Sequence, residues 1–160
     1  MDIYNYLKEG LNDMEVKSIP NLPKKDFDMV LKMVPTTVVE VIVKNENGIL
    51  LGKRNTQPFH GMWHLTGGFV YYNEKISDAV KRVVKREIGT YVEIVKLLGI
   101  YEYINDDPRG HLIGLAHIVK IRGGTIAPNP DNSELKYFKS APDDMIPYQK
   151  SIFNDAIKNN

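Results

Sequence analysis

The spacing of apolar residues changes several times along the chain, and each change marks a predicted element. Between Ile76 and Ile88 the apolar positions Ile76, Ala79, Val80, Val83, Val84 and Ile88 recur at intervals of three and four. At about 100° per residue these share one face of a helix. Gly89 suits the position just past its end, Glu74 and Asp78 suit the positive first turn, and Asn73 is the expected N-cap. Upstream, TTVVEVIVKNENGILLGKR is a β-branched run, an Asn/Gly turn at Asn45–Gly48 and a second apolar run, which predicts a hairpin ending at Arg54. Val92–Tyr103 and His111–Ile121 follow as strands of a mixed sheet, with Leu112, Leu115, Ile118 and Val119 as core candidates. Residues 1–34 read as two short helical pieces around IPNLPKKD. The second carries Phe27, Val30, Leu31 and Val34 on one face, with Asp26 as its cap, and such an extension suits a packing arm. Residues 139–160 end in a helix whose apolar face includes Ile146, Tyr148, Ile152, Phe153 and Ile157.

Two acids interrupt this pattern. Glu87 projects near the middle of the apolar helix stripe, where a carboxylate costs several kcal/mol unless it is paired or bound to a cation. It is either in a salt bridge with Arg82 or Arg86, or a metal ligand. Glu40 alone breaks the first strand, and it is either on the outward face or part of a site. Trp63 reads as a packing anchor. His60 and His64 lack ligand-like spacing to another histidine. His111, at a strand start, is incidental or a general base.

Charge and composition narrow the classes. Lys and Arg number 21 against 20 Asp and Glu, so no basic field argues for nucleic acid. The chain has no Cys, hence neither disulfides nor thiolate chemistry, which fits a cytoplasmic setting. No apolar run reaches the roughly 18–20 residues of a membrane span. At 160 residues one domain with one core is expected.

Gly68, five residues, Glu74, seven residues, Arg82, then Glu87 and Gly89 resemble the Nudix box, G-x5-E-x7-R-E-U-x-E-E-x-G-U with U apolar. The order strand, strand, Trp-containing loop, box agrees with it, and the resemblance covers Pro35 to Phe138. It implies an α/β Nudix fold: a mixed β-sheet sandwiched between helices, with an N-terminal helical extension (1–34), a core (35–138) and a C-terminal helix (139–160). Val83 and Arg86 stand where the box has glutamates, and the GDP-mannose mannosyl hydrolases are similar in having the same gaps. DFDMVLKMVPTTVVEVIV and ILLGKR also resemble their amino-terminal region.

That resemblance implies one Mg²⁺ or Mn²⁺ held by Glu87, Asp131 and a carbonyl of Gly67. It implies that Arg54 holds the substrate phosphates, that Arg82 assists catalysis and that Glu40 lies near the nucleotide. Phe69 stands where those enzymes carry an Arg that touches the pyrophosphate, and Asn132 where they carry a His that activates water. Glu134 is then the substitute base. The expected reaction is hydrolysis of a GDP-mannose-like nucleoside diphosphate sugar by water attack at the anomeric carbon, in a homodimer. An ordinary pyrophosphatase cleaving P–O and a nucleotide-sugar-binding module without turnover stay open.

Overall fold

A computed structural model describes residues 22–159, and among these lie three helices and seven strands. In chain order they are α1 (Lys24–Met33), β1 (Thr36–Asn45), β2 (Gly48–Arg54), β3 (Trp63–His64), β4 (Thr66–Phe69), α2 (Ile76–Ile88), β5 (Tyr91–Tyr103), β6 (Leu112–Gly123), β7 (Asn132–Phe138) and α3 (Gln149–Lys158).

β1 is the central strand. It runs antiparallel to β4, with Glu40 opposite Gly67, and parallel to β6 from Thr36↔Leu112 to Val43↔Val119. β5 lies antiparallel outside β6. The predicted hairpin closes through Lys44↔Ile49 and Asn45↔Gly48, and β2 then continues between β3 and β7. The mixed sheet and its flanking helices match the expected Nudix architecture.

The strand pleat sorts β1 into two cores. Val39, Val41 and Val43 pack with Ala79, Val80, Val83, Val84 and Ile88 of α2. Val38 and Ile42 face the other layer, with Trp63, Leu65, Ile152, Phe153 and Ala156. Trp63 is the packing anchor expected, edge-on to Phe138 at 4.8 Å. A strand covered on both faces carries a continuous apolar run rather than an alternating one. That is why the side taken by Glu40 is not legible from the pattern.

Three local expectations need correction. The N-cap of α2 is Lys75 without a side-chain bond, whereas Asn73 sits in the loop at φ 59°. Asn tolerates this left-handed region and so serves the turn instead of the cap. Glu74 also belongs to that loop. Its carboxylate accepts the Tyr71 N–H at 2.9 Å and the Arg82 Nε–H at 2.6 Å. Pro23 precedes α1, so Asp26 falls in the first turn and makes no cap bond. Gly89 ends α2 at φ 75° as expected. The first helical piece expected before residue 22 lies outside the described residues. Among the described residues no helix is long and apolar enough to cross a membrane.

Candidate active site

A cleft of about 300 Å³ opens where β4, the end of β2 and the C-terminal half of α2 meet. Arg54, His64, Gly67, Phe69, Glu87 and Asp131 line it, together with Arg86, Arg109, Asn132 and Phe27 of α1. A narrower recess shares Arg54, His64, Gly67, Phe69 and Arg109 and leads inward to Glu40, Tyr148 and Gln149. The amino-terminal helix therefore contributes to the cleft wall as well as to packing.

Two buried carboxylates flank Gly67. Glu87 comes from the inward face of α2, where helical periodicity put it. One oxygen accepts the Gly67 N–H at 3.2 Å and the other an Arg86 guanidinium N–H at 2.9 Å. Both readings of Glu87 therefore hold together: it is paired with Arg86 and it faces the cleft. Burial pushes its carboxyl above the ordinary range against the pull of Arg86. Glu40 reaches the same place from β1, on the α3 side of the sheet. Gln149 Nε2 donates to both its oxygens, at 3.1 and 3.0 Å. Burial is the main cause that drives its pKa up to about 8, and the Glu87 charge adds to it. Gly67 is required between them, because a Cβ there would lie 2.8 Å from Glu40 Oε2 and 2.9 Å from the Val39 carbonyl oxygen.

Guanidinium groups form the opposing wall. Arg54 donates to the Pro58 carbonyl at 2.8 Å and to Thr56 Oγ1 at 3.3 Å, both neutral acceptors. Burial, and then the charge of Arg109, lower its pKa. Arg109, from the β5–β6 loop, was not singled out as a site residue in the sequence. Its Nε and one terminal nitrogen donate to the two oxygens of Asp107 at 2.8 and 2.7 Å, and Tyr148 Oη donates to the same carboxylate at 2.7 Å. Burial would raise the Asp107 pKa and lower that of Arg109. Their mutual hydrogen bonds outweigh it and hold both charged. The one local signal was an Asp two residues before an Arg in NDDPRG.

His64 and Asn132 close the far side. His64 Nε2 lies 2.6 Å from Asn132 Oδ1, and its Nδ1 lies 2.7 Å from the Leu65 carbonyl oxygen. Burial lowers its pKa to about 4, so it is neutral at physiological pH. Asp131 is exposed at the rim beside Asn129.

The other residues assigned from the resemblance stand elsewhere. The register between β2 and β7 slips so that Arg54 opposes Asn132 while Lys53 opposes Glu134. The extra residue, Ser133, turns Glu134 to the face away from Arg54, exposed and outside the cleft lining. Glu134 thus stands apart from the residues that line the cleft. Arg82 likewise lines neither chamber. It holds Glu74, donates to the Phe69 carbonyl at 2.8 Å and covers the Tyr71 ring at 3.6 Å, so it shapes the loop after β4. His111 lines a separate cavity beside α1.

Among the described residues no group of three or more Asp, Glu or His side chains is arranged to surround a metal ion. Mg²⁺ does not need one: it is typically bound through one or two carboxylates, with water and substrate phosphates completing its shell. Two buried acids beside one cleft suit that requirement, and Asp131 is a third oxygen donor on the same chamber.

The NUDIX domain profile matches residues 34–154. An ADP-ribose pyrophosphatase of Methanocaldococcus jannaschii is 38% identical over 108 residues, 68% of this chain and 64% of the relative's own length. The chain thus spans a little under two thirds of that relative. The low-salt glycan biosynthesis protein Agl8 of Haloferax volcanii is 30% identical over 138 residues, covering 82% of this chain and 88% of Agl8. A solved structure from Jonesia denitrificans, described as a possible asymmetric diadenosine tetraphosphate hydrolase, superposes with a TM-score of 0.70 at 25% identity. The superposition covers 79% of this chain and 95% of that one.

Proposed function

The chain belongs to the NUDIX domain family, and on that premise we propose that it hydrolyses a nucleoside diphosphate linked to a sugar, cleaving a P–O bond of the diphosphate. The observation that carries this reading is the pair of buried carboxylates, Glu40 and Glu87, on either side of Gly67 and facing Arg54 and Arg109. Nudix hydrolases generally use divalent metals such as Mg²⁺. A divalent ion held by Glu87 and Glu40, with Asp131 at the rim, would neutralise the diphosphate and polarise it toward attack. The ADP-ribose pyrophosphatase and glycan-biosynthesis relatives favour a sugar-bearing nucleotide as substrate.

The remaining work falls to the chain's own side chains. Arg54 presents a planar, permanently charged fork whose partners in the protein are uncharged, which suits phosphate oxygens. Gln149 orients Glu40, and Arg86 together with the Gly67 N–H orients Glu87. Neutral His64, fixed against Asn132 and the Leu65 carbonyl, closes the far side of the chamber without adding charge.

One feature favours a second reading. Val83 is fully buried in the α2 core and Arg86 faces the cleft where the box has a glutamate, which leaves fewer carboxylates to activate water at phosphorus. Water attack at the anomeric carbon of a GDP-mannose-like nucleotide sugar is the reaction that such depletion supports. Turnover of ADP-ribose and a set of nucleotide sugars, with Mg²⁺ and with EDTA, tests the main reading. Metal-dependent release of monophosphates is expected, with a loss of roughly a hundredfold or more in Glu87→Gln. Unchanged rates in EDTA or in Glu87→Gln would overturn it.

A further inference from the structure

We propose that Arg109, fixed by Asp107 and Tyr148, is a diphosphate-binding residue that supplies from the β5–β6 loop the cation position 69 lacks; the inference rests on the hydrolase reading above. Phe69, at the end of β4, lines both chambers, and its aromatic ring brings no charge to them. The guanidinium of Arg109 is 5.7 Å from the Phe69 ring centroid, so the missing charge returns to nearly the same place from a different part of the chain. Phe27 packs edge-on against Phe69 at 5.5 Å and steadies the ring from α1.

The group is preorganised. The Asp107 side chain is fully buried, and its carboxylate accepts the Arg109 backbone N–H at 2.9 Å in addition to the two guanidinium bonds and the Tyr148 hydroxyl. Gly110 runs against α1 so closely that a Cβ there would meet the Leu31 carbonyl oxygen at 2.0 Å, and this seats the loop. Asp107 engages Nε and one terminal nitrogen of Arg109. Tyr148 borders the same guanidinium, which lines both chambers of the cleft. A side chain held this way loses little freedom when it binds an anion.

Charge distribution points to the same ligand. Glu87 is matched by Arg86 and Asp107 by Arg109, while Arg54 faces the same space with only neutral partners. Asp131 is exposed at the rim, and farther in Arg54 and Arg109 repel each other. A diphosphate, with oxygens enough to meet both Arg54 and Arg109, relieves the repulsion between them.

Calorimetric titration in EDTA with ADP, inorganic pyrophosphate and adenosine tests this without turnover or metal. Loss of a charge-assisted contact is expected to weaken ADP and pyrophosphate about ten- to hundredfold in Arg109→Gln, and less in Arg109→Lys, with adenosine unaffected. Arg109→Gln leaves Asp107 buried without its partner, so the Asp107→Asn/Arg109→Gln double variant is measured beside it and should show the same loss. Tyr148→Phe, which removes a donor to Asp107, should weaken ADP and pyrophosphate severalfold in the same titration while adenosine is unaffected, as expected of a positioning residue. ADP bound equally by the wild type and the double variant would overturn the inference and leave the hydrolase reading standing. A wild type that binds neither ADP nor pyrophosphate in EDTA would overturn the inference as well, and the hydrolase reading falls only if turnover with Mg²⁺ is also absent.

Discussion

Glu40→Gln separates the burden of burying an acid from the benefit of using it. Glu40 has a pKa of about 8 in the fold, against 4.5 for an ordinary glutamate, chiefly because it is buried. A folded-state pKa above the unfolded one means the native protein holds the proton more tightly. No stability is lost below pH 4.5, and stability falls progressively as pH rises from 4.5 to 8. At pH 7 the wild type should have lost about 3 kcal/mol relative to a neutral isostere, rising to about 5 kcal/mol above pH 8 and shrinking below about 1 kcal/mol at pH 5. Gln keeps the shape of the protonated acid and can still accept from Gln149. In EDTA, urea unfolding at pH 5, 7 and 9 should therefore show the variant increasingly more stable than the wild type. Saturating Mg²⁺ should narrow the gap, because an ion at tenfold its Kd stabilises the wild type by about 1.4 kcal/mol and the variant less. A stability difference that is the same at pH 5 and pH 9, or a variant less stable in EDTA at pH 9, would refute the assignment of Glu40 as a buried, proton-holding acid.

The remaining predictions concern its neighbours. His64 is depressed to about 4, so its stabilising influence is complete above pH 6.5 and is lost as pH falls toward 4. The destabilisation caused by His64→Gln at pH 7 should accordingly shrink by about 2 kcal/mol at pH 5, as read by denaturant unfolding. Gly67→Ala forces a methyl against Glu40 and the Val39 carbonyl oxygen; it should lower the thermal midpoint and weaken Mg²⁺ binding measured by calorimetry at least tenfold. Arg82→Ala removes the clasp on Glu74 and the Phe69 carbonyl, leaving a part-buried acid and carbonyl less well satisfied; it should destabilise by about 1–3 kcal/mol in urea titration. Phe153→Ala, in the core under β1, should lose about 3–5 kcal/mol by the same assay without altering metal affinity.

What could be read from the sequence was what local periodicity controls. The apolar stripe of α2 put Glu87 on its inward face, and the Asn/Gly signal placed the β1–β2 hairpin, because both depend on residues a few positions apart. The groups that complete the cleft arrive across the sheet and from loops. Gln149 meets Glu40 from α3, His64 meets Asn132 between β3 and β7, and Arg109 stands beside Phe69 from the β5–β6 loop. No local spacing encodes those meetings. The placement of Glu134 was illegible for a different reason: strand alternation counts residues two by two, and one bulged residue at Ser133 reverses every face that follows.

The central claim, P–O hydrolysis at the Glu40–Glu87 cleft, is tested most directly by phosphorus NMR of ADP-ribose and GDP-mannose turnover with Mg²⁺ in ¹⁸O-labelled water. Two phosphate monoesters are expected from a diphosphate substrate, with the isotope shift on one of them. An unlabelled nucleoside diphosphate released together with ¹⁸O-labelled free sugar would contradict it and move the attack to the anomeric carbon.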